Sequence, residues 1–201
     1  MNNNFEKNIS AYDKKAADYD NTHDGKFTEK FKSLLLKTVS VKDDDFVLDV
    51  GCGNGSLLTR ISKVKAIHGF GTDVSPQMIK NASWRNPHST FVTANCENIP
   101  FDDKSMDIII TCAAYHHFPD VNAFAKEVKR LLTRNGDLYV AEINLPPLIR
   151  HIANVFLPLS KDGDVKFYST NEIVSTFSSV GFRYEGVSKS GHIQIVHMKN
   201  E

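Results

Sequence analysis

The stretch Phe46-Val-Leu-Asp-Val-Gly-Cys-Gly-Asn-Gly-Ser-Leu-Leu58 decides how this chain folds. An apolar, β-rich run leads into three glycines at alternate positions, and helix-forming residues follow. That order is a strand, a tight turn and a helix N-terminus near Asn54. Glycine suits a backbone that turns through positive φ, or that a ligand must approach without meeting a Cβ. The dinucleotide fingerprint G-x-G-x-x-G is not met, because Ser56 follows Gly51, Gly53 and Gly55. Instead Asp49 stands two residues before the first glycine. A carboxylate there repels a pyrophosphate and suits a ligand bearing an amino group.

Downstream, Ala66-Ile-His-Gly-Phe-Gly-Thr-Asp73 reads as a second strand ending in an acid. Ser75 and Pro76 then supply an N-cap and a first helical residue. Asp73 lies 24 residues after Asp49, close to the β-α-β distance between a glycine turn and a ribose-binding acid. Its carboxylate can accept both ribose hydroxyls, which selects adenosine-type ligands; the structural alternative is a second helix cap.

Asp49-x-Gly51-x-Gly53-x-Gly55 after such a strand resembles the first motif of class I S-adenosylmethionine-dependent methyltransferases. Further segments agree in order. Tyr12-Asp-Lys-Lys-Ala-Ala-Asp-Tyr19-Asp resembles the Y-x-x-x-A-x-x-Y-D lead that folds over the cofactor in many small-molecule members. Asn95-Cys96-Glu97-Asn98-Ile99-Pro100-Phe101 resembles D-A-E-x-L-P-F, with Asn for the usual Asp and Cys for Ala. The segment from Leu132 resembles L-K-P-G-G-x-L-x-I, with Thr133-Arg134-Asn135 where Lys-Pro is usual. The likeness covers about residues 10 to 201 and is nearest the quinone-biosynthesis-like branch. It implies S-adenosylmethionine as cofactor, S-adenosylhomocysteine as product and a small-molecule acceptor. It also implies that Asp49 and the Gly51-Cys52-Gly53 turn hold the methionine end, and that Asp73 holds ribose. By the same likeness Val74, Met78, Asn95 and Cys96 would surround adenine, Glu97 would belong to the cofactor-binding set, the backbone around Cys112 would meet the amino group, and Tyr19 would close over the site.

The remaining elements fit a doubly wound α/β sheet. Phe27, Phe31, Leu34 and Leu35 share one helical stripe from Lys26 onward. Tyr12 and Tyr19, seven apart, fall on one face if their segment is a single helix. Phe91–Asn95 and Met106–Cys112 read as the third and fourth strands, the latter apolar enough to be buried on both faces. An amphipathic helix follows from Val121, ending at Arg134-Asn135-Gly136, and Asp137–Ile143 is the fifth strand. Leu145-Pro-Pro-Leu breaks the chain before a short, strongly apolar helix that reads equally as a lid or as a packing element. Ser169-Thr-Asn-Glu172 is a capping box, and two antiparallel strands flank Gly191. The expectation is one domain: a helical cap over residues 1–45, a cofactor-binding core over 46–143, a substrate lid over 144–168, and a helix with a strand pair over 169–201. Its fold is a Rossmann-like, seven-stranded sheet, mostly parallel with an antiparallel C-terminal strand.

Tyr115-His116-His117 directly follows the fourth strand, where ligand sites of open α/β sheets collect. An imidazole titrates near neutral pH, so His116 or His117 is the candidate general base, with His116 preferred. On an extended segment neighbouring histidines point apart, and no carboxylate follows before Asp120, so no metal is expected.

Lys plus Arg and Asp plus Glu number 24 each, so no net field draws the chain to nucleic acid, and no N-P-P-Y-like tetrad follows the fourth strand. Three dispersed cysteines, Cys52, Cys96 and Cys112, argue for a reducing compartment and against zinc or disulfides. No apolar signal core or membrane-length run is visible, so a cytoplasmic location is expected. An NAD-dependent oxidoreductase is disfavoured by Asp49 and the missing glycine; a cofactor-binding module without catalysis is the other alternative.

Overall fold

Near-continuous apolar runs in the middle of the chain become strands buried on both faces. The computed structural model describes residues 3–201; residues 1 and 2 of the N-terminal cap lie outside it. Strands β1 (Phe46–Val50), β2 (His68–Asp73), β3 (Thr90–Thr93), β4 (Met106–Cys112), β5 (Leu132–Ile143), β6 (Phe182–Ser190) and β7 (Ile193–Asn200) form one sheet in the order β3-β2-β1-β4-β5-β7-β6. The first five are parallel, and β7 runs antiparallel between β5 and β6. This is the expected fold, with β7 as the single reversed strand.

Seven helices accompany the sheet among the described residues: α1 (Asn3–Lys15), α2 (His23–Thr38), α3 (Ser56–Ser62), α4 (Pro76–Arg85), α5 (Val121–Leu131), α6 (Pro147–Phe156) and α7 (Thr170–Ser178). Alternation along the strands splits the core into two layers. Leu48, Ile109, Leu138 and Val140 pack with Phe124 and Val128 of α5 and Phe177 of α7. On the other face Val47, Ile108, Ile110 and Tyr139 meet Phe31 and Leu35 of α2 and Leu58 of α3. Chain order reverses about β1 and β4, which places a crevice at their carboxyl ends.

Helix starts follow the sequence closely. Ser75 Oγ accepts from the Met78 N–H at 3.1 Å, and Ser169 with Glu172 closes a capping box. Several boundaries differ, four of them near the site or the sheet's packing. Helix α3 begins at Ser56, with Gly55 in the left-handed region as its N-cap. Tyr12 and Tyr19 do not share one helix, because α1 gives way at Lys15 to a 3-10 segment, Ala16–Asn21, within which Asp18 leaves helical geometry. Strand β3 stops at Thr93, which leaves Asn95 on the following loop. Helix α5 ends at Leu131 rather than at Asn135-Gly136. There the carbonyls of Arg130 and Leu131 accept from the N–H groups of Lys104 and Ser105. Leu132 pairs with Met106 while Ile108 already pairs with Asp137, so the intervening residues bulge, Asn135 with a φ of 62°.

Candidate active site

A cavity opens where β1, β2 and β4 end. Gly51, Gly53, Asp73, Val74, Asn95, Cys96, Cys112 and Tyr19 line it, as expected. A smaller space, lined by Asp49, Cys52, Asn54, Thr28 and Lys32, shares Tyr19, Gly51, Gly53 and Cys112 with the first. Two predicted residues stand elsewhere. Met78 is fully buried against Ala16 and Tyr19, where it supports the N-terminal segment. Glu97 turns toward the Asp120 N–H, accepting from it at 3.0 Å.

The glycine turn is a cradle. Gly53 has a φ of +51°, and a Cβ placed there meets nothing within 4 Å, so its backbone faces open space. At Gly51, φ +75°, an added Cβ comes within 2.5 Å of the Ala114 Cβ, so side chains are excluded where β1 passes the end of β4. Asp49 is 1% exposed and its Oδ1 has no hydrogen-bond partner among the described residues. Burial pushes its carboxyl up to about 7; Lys32 opposes the shift and the nearby Asp73 adds to it. A buried acceptor without a donor, on the wall of a space, fits a cationic N–H group.

Asp73 is both a turn residue and a wall residue. Its Oδ2 accepts from the Gly53 N–H and its Oδ1 from the Ser75 N–H, each at 2.9 Å. Burial raises its pKa against the pull of these backbone donors. Each oxygen keeps acceptor capacity for a hydroxyl from the cavity. The Asn95 side chain accepts from the Glu97 N–H at 3.3 Å, which fixes its oxygen beside Cys96.

The N-terminal segment covers the cavity. Phe5, Asn8 and Tyr12 line it beside Tyr19, and the two tyrosine rings lie 6.2 Å apart despite the break at Asp18. Asn8 donates to the Asp162 carbonyl at 2.9 Å, Lys15 bridges Asp24 and Asp162, and Ser75 Oγ donates to Asp13 at 2.5 Å. No described side chain from residues 144–168 lines this cavity. Among the described residues, the segment that reads equally as a lid or as a packing element meets the site through its anchorage to α1 and to the histidines.

Those histidines occupy a 3-10 turn, Tyr115–His117, not the extended segment expected. Instead of pointing apart, their ring centroids are 4.0 Å apart. His117 lines the cavity and His116 lies behind it. His116 Nδ1 faces Glu142 Oε1 and Oε2 at 2.8 and 2.9 Å. Burial opposes protonation of His116, but Glu142 and then Asp164 hold its pKa above the ordinary value. His117 is held well below its usual value, first by burial, then by His116 and Lys15. Glu142, fully buried, and Asp164 escaped the sequence reading. An acid inside the apolar run Tyr139-Val-Ala-Glu-Ile143 was the available signal for the first; only tertiary contact brings in the second.

Residues 48–140 match a family described as a methyltransferase domain. The uncharacterized methyltransferase YcgJ of Bacillus subtilis is 28% identical over 163 residues, covering 78% of this chain and 64% of the relative. A demethylmenaquinone methyltransferase of Chlorobaculum tepidum is 31% identical over 100 residues, 50% of this chain and 41% of the relative. The chain therefore spans less than two thirds of the length of these curated relatives. Among solved structures, a Haloferax volcanii methyltransferase in complex with the activator Trm112 superposes with a TM-score of 0.82 at 20% identity, covering 94% of this chain and 96% of that one. No helix among the described residues is long and apolar enough to cross a membrane. The domain match and the relatives support a class I S-adenosylmethionine-dependent methyltransferase with S-adenosylmethionine as its cofactor, and the solved structures share its fold.

Proposed function

We propose that the chain transfers the methyl group of S-adenosylmethionine to a small, ring-bearing acceptor by in-line displacement. The observation that carries this reading is the buried Asp49, with one oxygen unpaired, beside an open glycine backbone and within reach of Asp73's cavity. Asp49 and the Gly51–Gly53 backbone would hold the amino-acid end, Asp73 the ribose hydroxyls, and Val74, Asn95 and Cys96 the adenine. Bound there, the cofactor supplies a methyl already activated on a sulfonium, so the protein's share is orientation and exclusion of water. Tyr12, Tyr19 and the rest of the N-terminal segment provide the cover.

Beyond the residues assigned to the cofactor, the cavity lining is mainly apolar and aromatic, with Phe5, Tyr12, Phe118 and Pro119 beside the polar Asn8 and His117. Such a lining favours a flat ring over a charged metabolite. Relatives include enzymes named for demethylmenaquinone and for a phytyl hydroquinone, and a hydroquinone is the acceptor class we infer here. Calorimetry with S-adenosylhomocysteine and with NAD tests the cofactor: tight binding of the first and none of the second is expected. Label transfer from methyl-labelled cofactor to a hydroquinone panel tests catalysis. Cofactor binding with no transfer to any acceptor would favour a binding module.

A further inference from the structure

His116, His117 and Asp164 carry more organisation than a methyl-transfer pocket requires. Because the histidines sit on a turn, one nitrogen of each ring is aimed at the same point. Asp164 Oδ1 lies 3.5 Å from His116 Nε2 and 3.2 Å from His117 Nδ1, and all three atoms fall within 4.8 Å of one another. The opposite nitrogens are already engaged. Glu142 takes His116 Nδ1, and the Tyr12 hydroxyl meets His117 Nε2 at 3.0 Å. His117 Nδ1 is buried and has no hydrogen-bond partner that meets the geometry among the described residues, although the Gly163 backbone also approaches the ring and Asp164 Oδ1 stands 3.2 Å away. The side chains of His116 and His117 are 9% and 10% exposed.

We propose that His116 Nε2, His117 Nδ1 and Asp164 Oδ1 bind one divalent cation of the zinc class. Metal–nitrogen and metal–oxygen bonds of ~2.0–2.1 Å in a tetrahedron separate neighbouring donors by about 3.3 Å. The Asp164 distances of 3.2 and 3.5 Å bracket that value. Two imidazoles and one carboxylate suit Zn²⁺, Co²⁺, Ni²⁺ or Fe²⁺, whereas Mg²⁺ and Ca²⁺ require an oxygen shell. Glu142 on the far nitrogen of His116 supplies the carboxylate–histidine support that metal-binding imidazoles carry. Three protein donors leave a tetrahedral ion one position for water or an acceptor oxygen.

The third ligand comes from a segment held in place independently. The N–H groups of Val165 and Lys166 donate to the His116 carbonyl at 2.8 and 3.2 Å, and Ser160 Oγ donates to Asp164 Oδ2 at 2.5 Å. Oδ1 is thereby left for the ion. A bound cation fastens residues 160–166 to the end of β4, next to the cavity wall that His117 forms. With both inward nitrogens coordinated, neither imidazole serves as the general base expected from sequence; the pair becomes a ligand set.

Calorimetry of Zn²⁺ into chelator-treated, full-length protein, with Mg²⁺ as control, tests the site. One equivalent of Zn²⁺ and no Mg²⁺ is expected. Asp164→Asn and His116→Gln should abolish the stoichiometric isotherm, and Glu142→Gln should weaken it roughly 10–100-fold. Binding of S-adenosylhomocysteine to each variant reports its folding and stands apart from the metal readout. The visible spectrum of the Co²⁺-loaded wild type needs no variant: intense tetrahedral bands are expected. Weak octahedral bands, absence of stoichiometric Zn²⁺ binding, or unchanged binding in the Asp164 and His116 variants would overturn the proposal, the last by tracing uptake to other histidines.

Discussion

Helices α5 and α6 are nearly equal in length, and each carries a strong apolar stripe, yet they face opposite environments. Helix α5 buries Phe124, Ala125, Val128 and Leu131 against the sheet. Helix α6 buries none of its residues; Leu148, Ile149, Ile152, Val155 and Phe156 are all exposed. Its polar side makes the attachments. Asn154 both donates to the Phe167 carbonyl, at 3.1 Å, and accepts from the Phe167 N–H, at 2.8 Å; Arg150 donates to the Leu145 carbonyl at 3.3 Å. Periodicity says that a helix has an apolar face; it does not say what that face meets. Position relative to the sheet, not pattern strength, should therefore decide what each side chain is worth.

The largest test lies in α5. Phe124 is fully buried and its ring packs against Tyr115, Phe118 and Phe177. Phe124→Ala should cost about 3–5 kcal/mol in chemical denaturation, transfer and cavity terms together. A loss near 1 kcal/mol would show that this layer collapses readily, and the contrast with α6 would shrink.

The crevice at the strand ends gives the next test, because its buried groups are polar. Asp49 folds with a carboxyl raised to about 7, against about 3.9 in an unfolded chain. Between these values the native state holds more protons, so this residue's contribution to stability falls as pH rises through the window. Asp49→Asn should match wild type near pH 4 in Tm and gain on it up to about pH 7, then hold its lead. A difference that is flat with pH would mean that the buried acid is not the source. Affinity for S-adenosylhomocysteine should follow the opposite course in wild type, rising toward pH 7 as the carboxylate forms.

Asp73→Ala separates the turn role of that residue from the ribose-binding role proposed for it. Losing a ribose-hydroxyl acceptor should weaken cofactor binding by about 1.5–3 kcal/mol, roughly tenfold to a hundredfold. Because Gly53 and Ser75 also lose their acceptor, Tm should fall as well. A lower Tm with unchanged affinity would leave Asp73 as a turn residue alone.

The same contrast explains which features could be read from the sequence. β1, β4, the Ser75-Pro76 helix start and the Ser169–Glu172 box depend on neighbours within a few residues, and each was legible. So were most of the residues that line the cavity, because strand ends and glycines locate them. What escaped depends on distant contacts. The end of α5 is set by Lys104 and Ser105, some 26 residues earlier in the chain. Asp164 reaches the histidines only because the His116 carbonyl anchors its loop. Met78 kept the helical position expected of it, yet the N-terminal segment, not the cavity, packs over it. The outward face of α6 belongs with these: its pattern was visible and its direction was not.

The smallest effects are expected within α6, where the usual ranking of polar and apolar residues should invert. Asn154→Ala removes two hydrogen bonds to the Phe167 backbone and should cost about 1–2 kcal/mol. Val155, the next residue, is 62% exposed, so Val155→Ala removes little buried area. Alanine is also the better helix former. Denaturation of Val155→Ala should therefore agree with wild type within ~0.5 kcal/mol, or show a slight gain. A loss larger than that of Asn154→Ala would mean that the apolar face of α6 is covered in solution, and its likeness to α5 would then be closer than the structure shows.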